Sequence, residues 1–395
     1  MGILRVLFAV SVYFIHTGWI KGFVLFPDII TPVNGFFIIS GFYMAFILNR
    51  KYVGKKSSYR LFITNRLLRI YPIYWVILLL SLLFYAVVLL LKIHPPEVYA
   101  KDLLFSWYIP YYSFLLQKDI LMLPVAIAAD IFRNVTLVFH CGYFVRCAAG
   151  ESGYLTTTGQ AWSLNHELLF YLIAPFLLRR KGFIRFGVIA GAFLLWYLFF
   201  HFQWLDFDTS GYIFLTALTY FMFGYLNFLL YETLPMEKMH PLALSGICLF
   251  VCLFALLYFR LPIPSLQYKY KWMNIHDYIY YGTIAASLPF LFQFSSRIRF
   301  DGFIGQLSYP LYISHILANE VLAYTHIAQS GTLAFILIGL LFAILFSFAV
   351  TYLLEKPIDI YRQRRVAVVD DQVVRVGKSM VPVNARFRNV VKRQE

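Results

Sequence analysis

Charge is scarce in this 395-residue chain, at 13% Asp, Glu, Lys and Arg, roughly half the share found in soluble domains. Acids are the scarcer sign, 19 against 34 Lys and Arg. Cysteine is limited to four residues. So little charge excludes a disordered chain, a charge-laced coiled coil and an ordinary cytosolic enzyme. So few cysteines exclude a disulfide-framework miniprotein. What is plentiful is apolar: 61% of the residues are hydrophobic and 20% aromatic, with a mean hydropathy of +0.70. That composition belongs to a polytopic membrane protein.

The net charge of +15 would suggest nucleic acid in a soluble protein. Its placement argues otherwise, and no nucleic-acid partner is expected. Arg50, Lys51, Lys55, Lys56, Arg60, Arg66 and Arg69 crowd one loop that holds no acid. The tail 355–395 carries ten Lys and Arg against five acids. Charge packed at the ends of apolar runs reads as topology.

Apolar runs of membrane-spanning length predict an all-α polytopic helix bundle of about ten transmembrane helices. They fall near 3–20, 32–49, 70–91, 162–178, 186–202, 211–231, 241–259, 276–294, 304–325 and 332–354. With both ends on the cytoplasmic side, the inside segments hold most of the Lys and Arg, which predicts N-in and C-in. The stretch 92–161 is then an extracytoplasmic loop region. Within it 120–139 is apolar but holds Asp130 and Arg133, which suggests an interfacial or re-entrant segment. The expected domains are a membrane-embedded unit over 1–355 and a basic cytoplasmic tail over 356–395. The motif Leu354-Glu355-Lys356-Pro357 reads as a helix stop, and 366–376 alternates as a small hairpin would. Cys248 and Cys252 sit in an apolar run as small hydrophobes, whereas Cys141 and Cys147 could pair if their loop faces an oxidising compartment. The first span lacks a small-residue cleavage site and reads as uncleaved. No internal repeat is evident.

Ionisable groups within spans are costly and mark function. Arg5 and His16 lie eleven residues apart in the first span. Eleven steps come within ~20° of three full turns, and the rise is about 16 Å. Both residues therefore share a face, with His16 deeper. An imidazole there can take a proton from an attacking hydroxyl. The bland alternatives are a positive-inside anchor for Arg5 and an interhelical packing contact for His16. In the second span Ser40 and Gly41 are small enough for close approach of a helix or a ligand. Arg66 and Arg69, at i and i+3, share a face that could clamp phosphate, bind anionic lipid or only set topology. Trp162-Ser163-Leu164-Asn165-His166-Glu167 puts an acid in the fourth span, able to orient a base or bind sugar hydroxyls. It is not a zinc motif, since Phe170 stands four after His166, and no metal is expected. The ninth span holds Tyr312, His315 and Glu320, with Pro310 freeing a backbone carbonyl.

The set and order of these motifs are specific: Arg5-x10-His16, then Phe36-Phe37-x-x-Ser40-Gly41, Arg66-x-x-Arg69 running into Ile70-Tyr71-Pro72, Trp162-Ser163-Leu164-x-x-Glu167, Ser308 to His315, and Glu355-Lys356-Pro357. The chain resembles the acyltransferase-3 family of integral membrane acyltransferases over about residues 1–360. The resemblance implies transfer of an acyl group, usually acetyl, from cytoplasmic acyl-CoA to a hydroxyl of a sugar or glycolipid. It implies that His16 is catalytic with Arg5 its partner, and that Arg66 and Arg69 meet the CoA end. Phe36, Phe37, Ser40 and Gly41 would line the acyl passage. Glu167 is placed with the catalytic residues, and Trp162, Tyr312 and His315 as acceptor-binding or supporting groups. The expected product is an O-acetylated envelope polysaccharide, lipopolysaccharide or other glycan, made in a bacterial inner membrane with acetyl-CoA as co-substrate. Whether His16 acts as base or carries the acyl group stays open at this level. The competing class is a transporter or exporter of a lipid-linked glycan, which would consume no acyl-CoA.

Overall fold

The computed structural model describes residues 1–17, 30–52, 58–91, 123–137, 158–178, 214–235, 239–257, 275–325 and 332–376, with a few isolated positions besides. Among them every ordered element is helical. In chain order these are α1 (Gly2–His16), α2 (Ile30–Arg50), α3 (Ser58–Leu90), α4 (Leu123–Thr136), a 3-10 turn (Gly159–Ala161), α5 (Trp162–Leu177), α6 (Phe214–Thr233), α7 (Pro241–Leu257), α8 (Ile275–Ser295), α9 (Asp301–Thr325), α10 (Leu333–Val350), a π turn (Thr351–Glu355) and α11 (Lys356–Val376). The expected span at 186–202 and the Cys141 and Cys147 pair lie outside the described residues.

Large apolar side chains cover much of the outside of the bundle, and its inside adds aromatic and polar groups to an aliphatic core. Along α10, Leu337, Leu341, Phe342, Leu345 and Phe348 are exposed. The opposite stripe, Gly339, Ala343, Ser347 and Val350, is buried. Small residues on the inner stripe let helices approach, and the large apolar ones face lipid tails. The segments Thr31–Arg50, Ser58–Val88 and Leu333–Val366 are long and apolar enough to cross a membrane, and Gly2–His16 and Pro241–Phe254 are apolar but shorter. The chain is a multi-pass membrane protein with an all-helical fold.

Side-chain contacts give the relative helix directions. Ile70 meets Tyr309 and Tyr85 meets Glu320, so α3 and α9 run the same way. Phe62 meets Tyr171 and Tyr74 meets Thr158, so α5 runs against α3. Phe37 meets Trp162 and Phe221 and Asn34 meets Tyr281, while Phe46 meets Tyr231 and Phe292 and Asn49 meets Leu178, so α2, α5, α6 and α8 share a direction. Tyr13 donates to the Ile336 carbonyl and Phe303 meets Phe348, so α10 opposes α1 and α9.

Two close approaches fix the frame. The Asp301 carboxylate, at the start of α9, accepts from the backbone N–H of Gly2 and Ile3, at 2.8 and 3.2 Å to its nearer oxygens. It thereby caps amides that α1 itself leaves unpaired. Gly2 has no room for a side chain, because a Cβ there would overlap the Asp301 carbonyl. Elsewhere Gly41 of α2 lies against the Phe221 backbone of α6, and Gly224 returns the contact at Ile38. Phe170 stacks on Phe221 at 3.9 Å beside this seam.

Two sequence expectations are corrected. First, Glu355-Lys356-Pro357 does not stop the helix. The π turn runs into α11, the Lys356 N–H reaching back to the Thr351 carbonyl. Pro357 falls in the first turn of α11, where a missing N–H is tolerated. Second, 366–376 continues as helix rather than forming a hairpin. The described parts of 92–161 touch the bundle at two places, while Ile131, Phe132 and Val135 of α4 stay exposed. Thr158, Gln160 and Ala161 are buried. The last carbonyls of α4 are capped by three aromatic donors of α3: Tyr71 to Thr136, Tyr74 to Asn134 at 2.5 Å and Trp75 to Val135 at 3.0 Å. A 14-residue helix rises only about 21 Å, so α4 is too short to span and ends against the middle of the bundle. Leu137, fully buried just past its end, adopts a positive φ of 59°, a conformation strained for a branched side chain.

Candidate functional site

α1 and α9 lie side by side and run in register. His16 follows Gly2 by the same fourteen residues by which His315 follows Asp301. The Asp301 cap at one end therefore delivers the two histidines to each other at the other end. His315 Nε2 lies 2.9 Å from His16 Nδ1.

The proton positions follow from the partners. His315 Nδ1 lies 2.6 Å from the Tyr312 carbonyl oxygen. A carbonyl only accepts, so that nitrogen carries the proton. In the neutral ring Nε2 is then an acceptor. His16 Nδ1 faces this acceptor and also the Val12 carbonyl at 3.1 Å, so it carries a proton shared between the two. His16 is left with Nε2 unprotonated and, among the described residues, without a hydrogen-bond partner. His315 thus sets the tautomer of His16 as an orienting carboxylate does in other catalytic pairs. His315 itself is fully buried, while His16 is half-open. Tyr312 is held in turn: its hydroxyl donates to the Gln160 carbonyl at 2.9 Å and accepts from Ser163 Oγ at 2.9 Å. The Gln160 side chain donates to the Ile313 carbonyl at 2.6 Å. The turn before α5 therefore braces the histidine segment of α9, which nothing in the spacing of the sequence signals.

A second cluster occupies the other end of α1. Arg5 lies within electrostatic reach of Arg69, Tyr43, Glu167 and Glu355. Arg69 is in reach of Tyr171, Glu355, Glu167 and Asp359. Glu167 accepts from Ser40 Oγ at 3.1 Å and from the Tyr171 hydroxyl. Arg66 is buried between the rings of Phe62 and Tyr171, at 5.8 and 5.9 Å from their centroids. Among the described residues the guanidinium groups of Arg5, Arg66 and Arg69 make neither hydrogen bond nor ion pair. Donors of this kind, close together and held in no ion pair, fit an anion with several oxygens.

The predicted residues thus divide between two ends. Arg5, Arg66, Arg69, Ser40 and Glu167 meet at the arginine end. His16, His315 and Tyr312 meet at the histidine end, with Phe36 edge-on to Tyr312 at 5.9 Å. Phe36, Ser40 and Tyr43 form the half-open stripe of α2 between the two. Three residues lie apart from the neighbours expected of them. Glu167 accepts from Ser40 and Tyr171 beside the arginines, and the ring bonded to His16 is His315. Gly41 and Phe37 face α6 rather than the open stripe, because Gly41 is the contact that lets α6 approach. Trp162 packs on Phe37 and His166 and is buried. Glu355 is the residue the sequence reading left out. It was legible only as part of a helix-stop motif, and the π turn is what brings it to Arg5 and Arg69.

The acyltransferase domain family (Acyl_transf_3) matches residues 1–352. The chain belongs to that family of membrane acyltransferases. No curated protein and no solved structure matches it.

Proposed function

We propose that the chain is a bacterial inner-membrane O-acetyltransferase that moves acetyl from cytoplasmic acetyl-CoA to a hydroxyl of an envelope polysaccharide, lipopolysaccharide or related glycan. The path would have about ten crossings with both ends inside, a membrane unit over 1–355 and a basic tail over 356–395. The observation that carries this reading is the His16–His315 pair, set ~16 Å along α1 from a cluster of unpaired arginines. That span suits a substrate with phosphates at one end and a thioester at the other, joined by a thin arm. In this reading Arg5, Arg66 and Arg69 take the phosphates, and the half-open stripe of Phe36, Ser40 and Tyr43 borders the arm.

The chemistry needs one proton handled twice. His16 Nε2 takes the proton of the acceptor hydroxyl as its oxygen bonds to the thioester carbonyl carbon. The C–S bond then breaks, and the imidazolium returns the proton to the leaving thiolate sulfur. The products are the ester and free CoA thiol. The thioester is already activated, so placement of the two substrates supplies much of the remaining acceleration.

Mass spectrometry of envelope glycans from cells with and without the protein tests this reading. Loss of an ester-linked acetyl group is the expected result. Unchanged esterification, with glycan held inside the membrane instead, would replace the reading with an exporter.

His315 acts through His16. Substituting His315→Leu removes the acceptor that fixes the His16 tautomer and is expected to lower kcat by ~10–100-fold with little change in KM for acetyl-CoA. His315→Gln offers an amide oxygen to the same proton and is expected to recover part of the loss. Equal losses in both variants would reduce His315 to a packing residue.

A further inference from the structure

Arg362 lies on α11, ten residues beyond the end of the family-matched segment at 352. Its surroundings are nevertheless those of the arginine end. It is 8% exposed, and Arg66 is 6% exposed. Both leave a buried Nε without a hydrogen-bond partner. Arg66 and Arg69 lie within electrostatic reach of Arg362. α11 is held at this position by Arg365, which donates to Asn65 Oδ1 and Thr64 Oγ1 of α3, each at 2.8 Å. Lys51 adds a bond to Gln363. The site is therefore a built one: α11 is hydrogen-bonded to α3 beside Arg66, and each helix contributes a buried arginine with an unpartnered Nε.

The pairing of these charges is incomplete. Asp359 pairs with Arg362 at 2.9 Å, and the other nearby acid of this segment is Glu355, whose Oε2 has no hydrogen-bond partner. Arg66, Arg69 and Arg362 share these two carboxylates and Glu167, which is already engaged by Ser40 and Tyr171. Buried like charges with unmatched donors are costly unless an anion joins them.

We infer that Arg362 completes a phosphate site with Arg66 and Arg69, and that it binds the nucleotide end of the acyl donor, where CoA carries a diphosphate and a 3′-phosphate. The site rests on the acyl-CoA reading for its ligand but not for its existence. It gives α11 a role in donor recognition, although α11 lies outside the family-matched segment. Asp359 is the internal competitor for Arg362, displaced or shared when phosphate enters.

The test uses the full chain in phosphatidylcholine nanodiscs, which carry no net headgroup charge, titrated separately with CoA, 3′-dephospho-CoA and inorganic diphosphate. Arg362→Gln is expected to weaken CoA binding by ~10–100-fold. Arg362→Lys, which keeps the charge but not the fork, should fall between it and the unaltered protein. Asp359→Asn is expected to tighten binding several-fold, an effect of opposite sign that a folding defect would not give. Exposed Arg364→Gln should leave affinity unchanged. A folded Arg362→Gln protein with unaltered CoA affinity overturns the inference and leaves the acyl-CoA reading standing. The inference is likewise overturned if Asp359→Asn weakens binding as much as Arg362→Gln, since the pair would then be a structural unit. Should the unaltered protein bind diphosphate but not CoA, with diphosphate binding lost in Arg362→Gln, the phosphate site stands and the acyl-CoA reading falls. Binding of neither compound removes both.

Discussion

His16→Ala is expected to reduce acyl transfer by ~10²–10⁴-fold, the usual contribution of a general base, while leaving acyl-CoA binding intact. The two effects separate because the groups do. His16 meets Val12 and His315 at one end of α1, and the arginines lie at the other. The substitution should not unfold the bundle, since α1 stays pinned by the Asp301 cap, and Tyr13 keeps its 2.8 Å bond to the Ile336 carbonyl. The assay is transfer of labelled acetyl from acetyl-CoA to glycan in membranes containing equal amounts of the two proteins. Transfer at an undiminished rate in the variant would remove His16 from the reaction and with it the proposed mechanism.

Arg66→Ala combined with Arg69→Ala is the second large effect. Each charge-assisted bond to phosphate is worth about 1.5–3 kcal/mol. Losing two should raise the acyl-CoA concentration needed for half-maximal rate by ~10²-fold or more, with the dependence on acceptor unchanged. Arg66 also packs between Phe62 and Tyr171, so alanine there removes ring contact as well as charge. Replacement of both by lysine separates the contributions. Lysine keeps the charge and loses the planar fork, so it should retain more acyl-CoA affinity than alanine. If the acyl-CoA dependence of the double alanine variant matches that of the unaltered protein, the arginine pair is a topological or lipid-facing feature.

Much of the helical framework was readable in the chain because lipid imposes a single rule. Every backbone amide within the bilayer must be satisfied internally, so an apolar run of sufficient length becomes a helix. Nine of the ten apolar runs contain a described helix, although α3 starts twelve residues before the expected 70 and the last run continues into α11. The rule gives no purchase on segments that mix polar and apolar residues. The stretch 120–139 reads ambiguously because Asp130 and Arg133 interrupt it, and only the aromatic donors Tyr71, Tyr74 and Trp75 on α3 explain where its helix ends. The proline at 357 misleads for a related reason. Proline stops a helix whose next carbonyl needs its N–H, but a π turn shifts the bonding by one residue and absorbs the break.

Residues sharing one helix were placed correctly relative to each other by arithmetic alone. Arg5 and His16 occupy the two ends of one face because eleven residues nearly complete three turns. Partners on different helices were not so accessible. Glu167 looked suited to orient a base, yet it is engaged by Ser40 and Tyr171, and His315 took that place. Sequence spacing carries no information about which of several buried polar groups meet across an interface. That is decided by helix register, here set by the Asp301 cap and the close approach at Gly2.

The sequence by itself determined that this protein is a multi-pass helical membrane protein of the acyltransferase-3 type, since hydropathy and the ordered motifs require only local pattern. Tertiary structure alone decided the His16 tautomer, the siding of Glu167 with the arginines, and the entry of Glu355 and Arg362 into their cluster. Each of these depends on contacts between residues more than a hundred positions apart, and in a bundle such contacts follow from how whole helices seat against one another.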